Sequence, residues 1–384
     1  MGAVKLVGLL LSSFILAYLT PWTQYGGGPG HTFDLPIHYF APKSNELKLE
    51  WQFKADYGVS SRYLENDVLV TDNKLFMFAY KNRQRSVVCV SYETGELLWK
   101  TDCLKIDQVG EELCYADGKI FYVINEQKLE ILDADSGELI QEEFLPSRVY
   151  GYKSMTASDG KLYISTYDGI SCYSISEQKF IWSYYDGRNC RTISSVSNGV
   201  CVYMTLYKVI ALRTKDGSLL WDRNLDVDEE KEVDEGPPVL PWYVTIQGDK
   251  AYYIDKGPIL RCVKLDNGSF LDPKIERIGN IEYCITSDGY VYISDYAIGH
   301  KVTCYSPDGK ALWFKEKPSF NGKLVVCGDW LYCCHTHTGA ISKINRFTGE
   351  EVYRMNLPKP ADKLRIGFGK LFVFSGDFIF CYGD

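Results

Sequence analysis

The chain has 384 residues and a formal net charge of −8. This modest acidic charge argues against a nucleic-acid surface, because such a surface needs a basic patch. The 29 Tyr and 18 Phe are typical of a strand-rich protein, and the sequence contains no long amphipathic helical stretch.

The N-terminus begins with an uncharged apolar run from Leu6 to Leu19, which follows Lys5. A run of about 14 residues is short for a bilayer span but fits the core of a signal peptide. Residues 1–20 are therefore predicted to be a signal peptide or a membrane anchor, with any membrane association made through residues 4–19. We expect an exported protein, located in the periplasm, outside the cell or anchored with its folded part outside the cytoplasm. Residues 21–45 form a lead segment.

An aromatic residue then recurs eight times at intervals of 40 to 49 residues, each time in a hydrophobic run that follows a turn. A repeat of this period without a helical pattern is typical of propeller blades. The eight positions are Phe76, Phe121, Tyr163, Tyr203, Tyr252, Tyr292, Tyr332 and Phe372.

A second column follows each aromatic by about 20 residues. It consists of a Gly-containing turn and a strand that ends in a large aromatic, as in Thr94-Gly95-Glu96-Leu97-Leu98-Trp99. Gly supplies the positive φ that a tight hairpin needs, and the alternating apolar residues are half-buried strands. Each repeat is thus a four-stranded antiparallel blade, and the docking Trp residues are predicted to be Trp51, Trp99, Trp182, Trp221 and Trp313.

The two ends of the chain indicate how the ring closes. The last repeat stops after Phe378-Ile379-Phe380-Cys381 and lacks an outer strand, whereas Leu47–Phe53 resembles such a strand. We therefore predict an all-β, eight-bladed β-propeller over residues 46–384, closed by the N-terminal strand and monomeric. Closure of this kind removes exposed sheet edges.

The outer motif resembles the tryptophan-docking repeat of the pyrroloquinoline-quinone (PQQ)-like propellers. The segment from Trp22 to Thr32 is similar to an opening found before many of them, so the resemblance covers about residues 22–384. The quinone enzymes of this family imply PQQ with Ca²⁺ as a cofactor, but their Ca²⁺-binding loops and catalytic Asp have no counterpart that we can place here. No catalytic residue and no cofactor are therefore expected.

The thirteen Cys present a problem for an exported chain, which normally pairs its thiols. Cys89, Cys172 and Cys262 share one repeat column with Ala211, which indicates small buried hydrophobic residues. We expect mostly unbonded, buried thiols. The adjacent Cys333 and Cys334 occupy a strand, where successive side chains point to opposite faces, so core packing is predicted for them as well.

Three imidazoles form a candidate metal site. His335 and His337 lie two residues apart just past a strand, and His300 occupies the equivalent loop of the preceding blade. Three such side chains on one rim are suitable ligands for Zn²⁺ or Cu²⁺. The alternative is that they are ordinary polar loop residues.

Two charged loops form a candidate docking surface. One is basic, with Lys81, Arg83 and Arg85; the other is acidic and carries, besides Asp226, the candidates Asp228, Glu229, Glu230, Glu232, Asp234 and Glu235. By strand order both loops should lie on the same face of the ring. Separated charge on one face suits protein docking, although clustered carboxylates can also form a weak Ca²⁺ site or a solvated loop.

The predicted function is a non-catalytic scaffold that binds a protein partner and no nucleic acid. It resembles the propeller that helps to assemble β-barrel proteins in bacterial outer membranes, without the lipid-bearing Cys of that family. Docking through loops, or addition of an extended segment to an outer blade edge, would be its mechanism. The alternatives are a PQQ- or quinone-dependent oxidoreductase and a carbohydrate- or cell-wall-binding propeller.

Overall fold

The computed structural model describes most of the propeller and parts of the lead segment. The described residues are 27–28, 31, 34–35, 42–43, 46–55, 68–71, 73–81, 84–102, 104–105, 112–149, 155–186, 190, 192–205, 207–225, 244–255, 259–275, 281–295, 301–316, 324–335, 339–361 and 363–384. Every regular element in these ranges is a β-strand. No helix of the length and hydropathy needed for a bilayer span occurs within them.

The strands form eight sheets that follow one another along the chain. Two strands precede the first blade, β1 (Asp34–Leu35) and β2 (Lys48–Lys54). Blade 1 contains β3 (Leu69–Val70), β4 (Lys74–Lys81), β5 (Gln84–Ser91), β6 (Leu97–Lys100) and the short β7 (Leu104–Lys105); blade 2 contains β8 (Cys114–Ala116), β9 (Lys119–Ile124), β10 (Lys128–Asp133) and β11 (Leu139–Phe144). Blade 3 contains β12 (Met155–Ser158), β13 (Lys161–Thr166), β14 (Gly169–Ser174) and β15 (Lys179–Tyr185); blade 4 contains β16 (Ser195–Ser197), β17 (Val200–Met204), β18 (Lys208–Arg213) and β19 (Leu219–Asn224).

The second half of the ring repeats this arrangement. Blade 5 contains β20 (Thr245–Gln247), β21 (Lys250–Asp255), β22 (Ile259–Lys264) and β23 (Phe270–Ile275); blade 6 contains β24 (Ile281–Ile285), β25 (Val291–Asp295), β26 (Lys301–Tyr305) and β27 (Ala311–Glu316). Blade 7 contains β28 (Leu324–Cys327), β29 (Trp330–His335), β30 (Ala340–Asn345) and β31 (Glu351–Asn356); blade 8 contains β32 (Lys363–Gly367), β33 (Lys370–Ser375) and β34 (Phe378–Gly383).

The eighth blade is completed by the N-terminal strand. β2 pairs antiparallel with β34, with Trp51 opposite Cys381 and Phe53 opposite Ile379. The predicted eight-bladed propeller and its closure are therefore confirmed. Because the first and last segments share one sheet, unfolding of either end opens the ring.

The recurring aromatic column forms the core of the blades. Phe76, Phe121, Tyr163, Tyr203, Tyr252, Tyr292, Tyr332 and Phe372 are all buried. In four blades the aromatic contacts the Trp of its own blade, with ring centroids 5.8–6.2 Å apart. Such aromatic pairs add directional stabilisation to the area that they bury.

The five Trp residues join each blade to the next one. Each indole N–H donates to a backbone carbonyl beside the turn that precedes the outer strand of the next blade. The bonds link Trp51 to Tyr92, Trp99 to Ala134, Trp182 to Thr214, Trp221 to Leu265 and Trp313 to Arg346, at 2.8–3.2 Å.

Each docked indole also explains a Gly in the following turn. Gly95 has φ +72°, and a Cβ added to it would lie 2.5 Å from the ring of Trp51. The same close approach occurs between the other four Trp residues and Gly137, Gly217, Gly268 and Gly349. These turns need Gly both for the left-handed backbone and for the space that the indole occupies.

Twelve of the thirteen Cys lie in the described residues, and all twelve are buried with reduced thiols. Burial raises the pKa of Cys89 and of Cys172 to about 12, so these thiols are protonated at neutral pH. Cys89 and Cys172 therefore act as packing residues in the blade cores rather than as nucleophiles.

Candidate interaction face and central channel

Strand order divides the ring into two faces. In each blade the link between the second and third strands, and the link from the outer strand to the next blade, lie on one face, which we call the connection face. The tight turns between first and second strands and between third and outer strands lie on the opposite face, the turn face. The connections at residues 82–83 and 226–243 both belong to the connection face, because the first joins β4 to β5 and the second joins β19 to β20.

The predicted basic loop differs from expectation in one residue. Arg85 belongs to strand β5 and is only 2% exposed, with its guanidinium carbon 5.5 Å from the ring centroid of Phe78. The prediction of an exposed Arg85 is therefore wrong, because β5 begins at Gln84 and turns this side chain towards the aromatic core. Lys81 ends strand β4 opposite Gln84, and Arg83 lies outside the described residues.

The acidic candidates lie outside the described residues. They are Asp228, Glu229, Glu230, Glu232, Asp234 and Glu235, within the undescribed range 226–243. Their role in docking stays a prediction, and only the face to which the connection belongs follows from the topology.

Of the three candidate metal ligands, the structure describes His335 alone. His335 ends β29, is fully buried, and its Nε2 lies 2.8 Å from the hydroxyl of Ser342, which in turn donates to Glu351 at 2.8 Å. His300 and His337 lie outside the described residues, so the metal site stays a prediction. Within the described ranges, no group of three or more His, Cys, Asp or Glu side chains is placed to hold a metal ion.

The lead segment enters the central channel, which the sequence did not predict. His31 is fully buried, and its Nε2 lies 2.9 Å from the carbonyl oxygen of Ser194 and 3.1 Å from the hydroxyl of Thr156. The hydroxyl of Thr245 donates to the His31 carbonyl at 3.2 Å. One residue thus contacts blades 3, 4 and 5.

The same segment continues to the opposite side of the channel. Asp34 and Leu35 pair in parallel with Val326 and Cys327 of β28, the inner strand of blade 7. Because β28 runs from the connection face to the turn face, a parallel neighbour passes through the channel in the same direction. The described residues of the lead segment thus contact the inner strands of blades 3 and 5 and the residue before that of blade 4 at His31, and the inner strand of blade 7 at Asp34 and Leu35.

The described residues show no Ca²⁺ site of the kind that accompanies a quinone, and the expectation of no cofactor stays a prediction. The carboxylates that would hold Ca²⁺ are not grouped in them, and His31 occupies the channel between three blades. Glu112, a buried carboxylate two residues before the inner strand β8, accepts a hydrogen bond from the Met155 amide at 2.7 Å. Cys333 and Cys334 pair with Ser342 and Ile341 of β30, so both are part of the regular ladder of blade 7.

Three exposed tyrosines lie on the connection face of two neighbouring blades. Tyr167 sits in the link between β13 and β14, Tyr185 ends the outer strand β15, and Tyr207 precedes β18 in blade 4. Backbone hydrogen bonds hold the chain at two of these residues: the Cys190 amide donates to the Tyr167 carbonyl, and the Leu225 amide donates to the Tyr207 carbonyl. Sequence reasoning missed this group, because exposed and buried Tyr residues look alike in a chain with 29 of them.

The comparisons with known proteins identify the family. The sequence profile described as "Outer membrane protein assembly factor BamB" matches residues 83–298, which is over half of the chain. The chain belongs to this family. Among curated protein sequences, none matches significantly.

Solved structures share the fold. BamB from Moraxella catarrhalis is similar over 88% of this chain and 100% of its own, with 16% identity and a TM-score of 0.66. The quinohemoprotein alcohol dehydrogenase from Comamonas testosteroni is similar over 97% of this chain and 82% of its own, with 12% identity and a TM-score of 0.72. A europium-containing methanol dehydrogenase is similar over 92% of this chain and 89% of its own length, with 12% identity and a TM-score of 0.67. These likenesses show the architecture, which catalytic and non-catalytic proteins share.

Proposed function

We propose that the protein is a non-catalytic scaffold, exported or tethered to a membrane, that holds a protein partner on its connection face. The observation that carries this proposal is the group of exposed tyrosines Tyr167, Tyr185 and Tyr207 on that face. Tyr is enriched at the energetic centres of protein interfaces, because its ring buries a large area while its hydroxyl keeps a polar partner. The ring behind these side chains is rigid, so a partner meets a preformed surface.

The family name supports a particular class of partner. We propose that the partner takes part in the assembly of membrane proteins, as the name of the family suggests. The acidic insertion Asp228 to Glu235 follows blade 4 on the same face, and we propose that it attracts basic residues of that partner. Complementary charge of this kind speeds association and selects partners.

Carbohydrate binding is a second candidate, because exposed aromatic rings on one face also stack on sugar rings. A quinone-dependent oxidoreductase is a weaker alternative. The fold suits it, but the described residues do not provide a Ca²⁺ carboxylate set and the chain's own His31 lies in the channel.

Photocrosslinking in the native host tests the scaffold directly. A benzoylphenylalanine replaces Tyr207 in one strain and Phe347 in another; the two side chains are 42% and 41% exposed but lie on opposite faces. We expect a defined crosslinked protein, part of a membrane-protein assembly complex, from the Tyr207 position and none from Phe347. Equal labelling from both positions, or none from either, would overturn the proposal.

Two further measurements on the purified full chain separate the alternatives. Retention on insoluble polysaccharide, lost in Tyr167→Ser/Tyr207→Ser, would favour carbohydrate binding over a protein partner. Reduction of a redox dye by the chain loaded with PQQ and Ca²⁺, in the presence of an alcohol, would make the protein an enzyme. The scaffold predicts neither result.

A further inference from the structure

The outer edge of blade 2 differs from the other outer edges in its apolar exposure. Phe144 in β11 is 77% exposed, more than any other large hydrophobic residue that the structure describes, and Leu139 and Ile140 of the same strand are exposed too. β11 is the last strand of its sheet, so within the described part of the chain one side of its backbone has no neighbouring strand. An exposed apolar edge strand is a template for a further strand.

The strand is regular enough to accept a partner. Lys128 to Ile131 of β10 pair in register with Gln141 to Phe144 of β11, and a single bulge separates these pairs from Leu139. The six residues of β11 contain no Pro, whereas Pro273 interrupts the outer strand β23 of blade 5. Pro removes a backbone donor and protects an edge, and β11 lacks this protection.

The surroundings of β11 are strongly acidic. Between residues 125 and 144 one cation, Lys128, is accompanied by seven carboxylates: Glu126, Glu130, Asp133, Asp135, Glu138, Glu142 and Glu143. Lys128 is shared by Glu130 at 3.3 Å and Glu142 at 2.6 Å, so it cannot neutralise both. Like charges placed opposite each other across strands are destabilising, which disfavours pairing of β11 with a second copy of itself.

The boundary beside this edge lacks the docking Trp. Gln141 takes the position of the docking Trp, and its amide donates to Glu143 at 2.7 Å and approaches the Gln178 carbonyl at 3.4 Å. β11 itself therefore carries no indole towards blade 3, and the docked indole near this strand is that of Trp99, which covers the turn before Leu139.

We propose that β11 binds an extended, apolar segment of a partner protein that carries Lys or Arg at alternate positions, as a fifth strand of blade 2. This surface deepens the proposed scaffold function and rests on it. Backbone hydrogen bonds to the open edge supply affinity, and the exposed side chains of Leu139, Ile140 and Phe144 offer apolar contact. Glu142 lies on the same strand face as Phe144 and selects basic residues on that face of the partner strand, whereas Glu143 adds negative charge on the other face.

The test uses the full chain and a fluorescein-labelled, blocked nonapeptide of alternating Lys and Val, followed by fluorescence anisotropy. A peptide of the same sequence with alternate backbone N-methyl groups keeps the charge but cannot pair as a strand. We expect the N-methylated peptide, and a peptide of alternating Glu and Val, to bind at least tenfold more weakly. Equal binding of the N-methylated peptide would overturn strand addition.

Matched variants locate the site. Phe144→Ser and Glu142→Lys/Glu143→Lys should each weaken binding at least fivefold, whereas Phe314→Ser should leave it unchanged. Phe314 is the control because it is 66% exposed on β27, another outer strand, where residues 301–316 carry three Lys and two acids. An equal loss for Phe314→Ser would contradict the proposal.

Two outcomes separate this inference from the proposed function. If the Tyr207 crosslink forms in the host but the peptide does not bind, the scaffold stands and the β11 site fails. If sedimentation shows a dimer that Phe144→Ser dissociates, the edge is a self-association surface and the proposal of a basic partner strand is wrong.

Discussion

Blades 4 and 5 pack against each other through a docked indole, whereas blades 2 and 3 pack without one. Between blades 4 and 5, Trp221 donates to the Leu265 carbonyl and its ring lies against Gly268, where an added Cβ would approach to 2.7 Å. Between blades 2 and 3, Gln141 replaces the Trp and Gln178, with φ +54°, replaces the Gly.

Trp and Gly depend on each other across a blade boundary, because the indole of one blade lies against the Gly of the next blade's turn. Gln178 keeps the left-handed backbone of the turn, so the turn alone does not require Gly. Gly is needed where an indole covers the turn, and the absence of the indole at Gln141 leaves room for a side chain. The boundaries after blades 5 and 7 also lack Trp, because Leu271 lies opposite Cys262 and Tyr353 lies opposite Lys343 where other blades place the indole.

The largest expected effect is the loss of a docked indole. Trp221 is 8% exposed, so Trp221→Ala should lower the free energy of unfolding by about 3–5 kcal/mol, since it removes a large buried side chain and a hydrogen bond. Urea denaturation followed by circular dichroism measures the change. Gln141→Ala at the altered boundary is the control and should cost less than about 1 kcal/mol. Equal losses would show that the indole is not what joins the blades.

Substitutions at the turn residues test whether the docked indole is what requires Gly. Gly95→Ala should destabilise by about 2–4 kcal/mol, because the methyl group meets Trp51 and the backbone has positive φ. Gln178→Gly should change stability by less than about 1 kcal/mol, since relief of the positive φ is offset by the entropy of the unfolded chain. Thermal and urea unfolding of both variants check this, and a large loss for Gln178→Gly would contradict the role given to the indole.

His31 of the lead segment stabilises the ring by contacts that do not involve Trp. His31→Ala should cost about 1–3 kcal/mol, because it leaves the buried Ser194 carbonyl and Thr156 hydroxyl without the imidazole. His31 has φ +52°, and His31→Asn keeps a donor and tolerates this positive φ, so it should recover part of the loss. Hydrogen exchange measured by mass spectrometry should show faster exchange in the inner strands β12, β16 and β20 of His31→Ala. Unchanged exchange there would mean that the segment contributes nothing to the ring.

The smallest expected effect concerns an ion pair on the turn face between blades 6 and 7. Burial opposes ionisation of Asp288, but hydrogen bonds from Arg346 and Thr286 outweigh it and hold the pKa of the carboxyl below its usual value. The folded pKa is thus below the unfolded one. The resulting stability is present above the unfolded pKa of about 3.9 and is lost as pH falls through the folded pKa.

The pair should contribute about 0.2–1 kcal/mol, because the Asp288 side chain is partly exposed. Comparison of urea midpoints at pH 6 and pH 3 tests this. The wild type should lose more stability between these pH values than Asp288→Asn does. The same pH dependence in both proteins would show that Asp288 is not the group that titrates.

Much of the architecture followed from local patterns. The aromatic column, the Gly-containing turns and the incomplete last repeat predicted eight blades and closure by β2, because each blade repeats the same short-range hydrogen bonding and burial. The sites were less predictable. Arg85 was expected in a loop, yet β5 begins at Gln84, within that predicted loop, and buries Arg85; strand ends are the least certain feature of a sequence pattern.

The amino-acid pattern predicts the blade and its repetition, because each blade is built from residues that are neighbours along the chain. It also predicts the pairing of the two chain ends, because the last repeat lacks an outer strand that Leu47–Phe53 resembles. The contacts between different blades and the lead segment became visible in the folded ring. It placed His31 between Thr156, Ser194 and Thr245, and it put Tyr167, Tyr185 and Tyr207 on one face. The physical reason is that contacts across the channel and exposure on a face depend on ring closure, which no single repeat encodes.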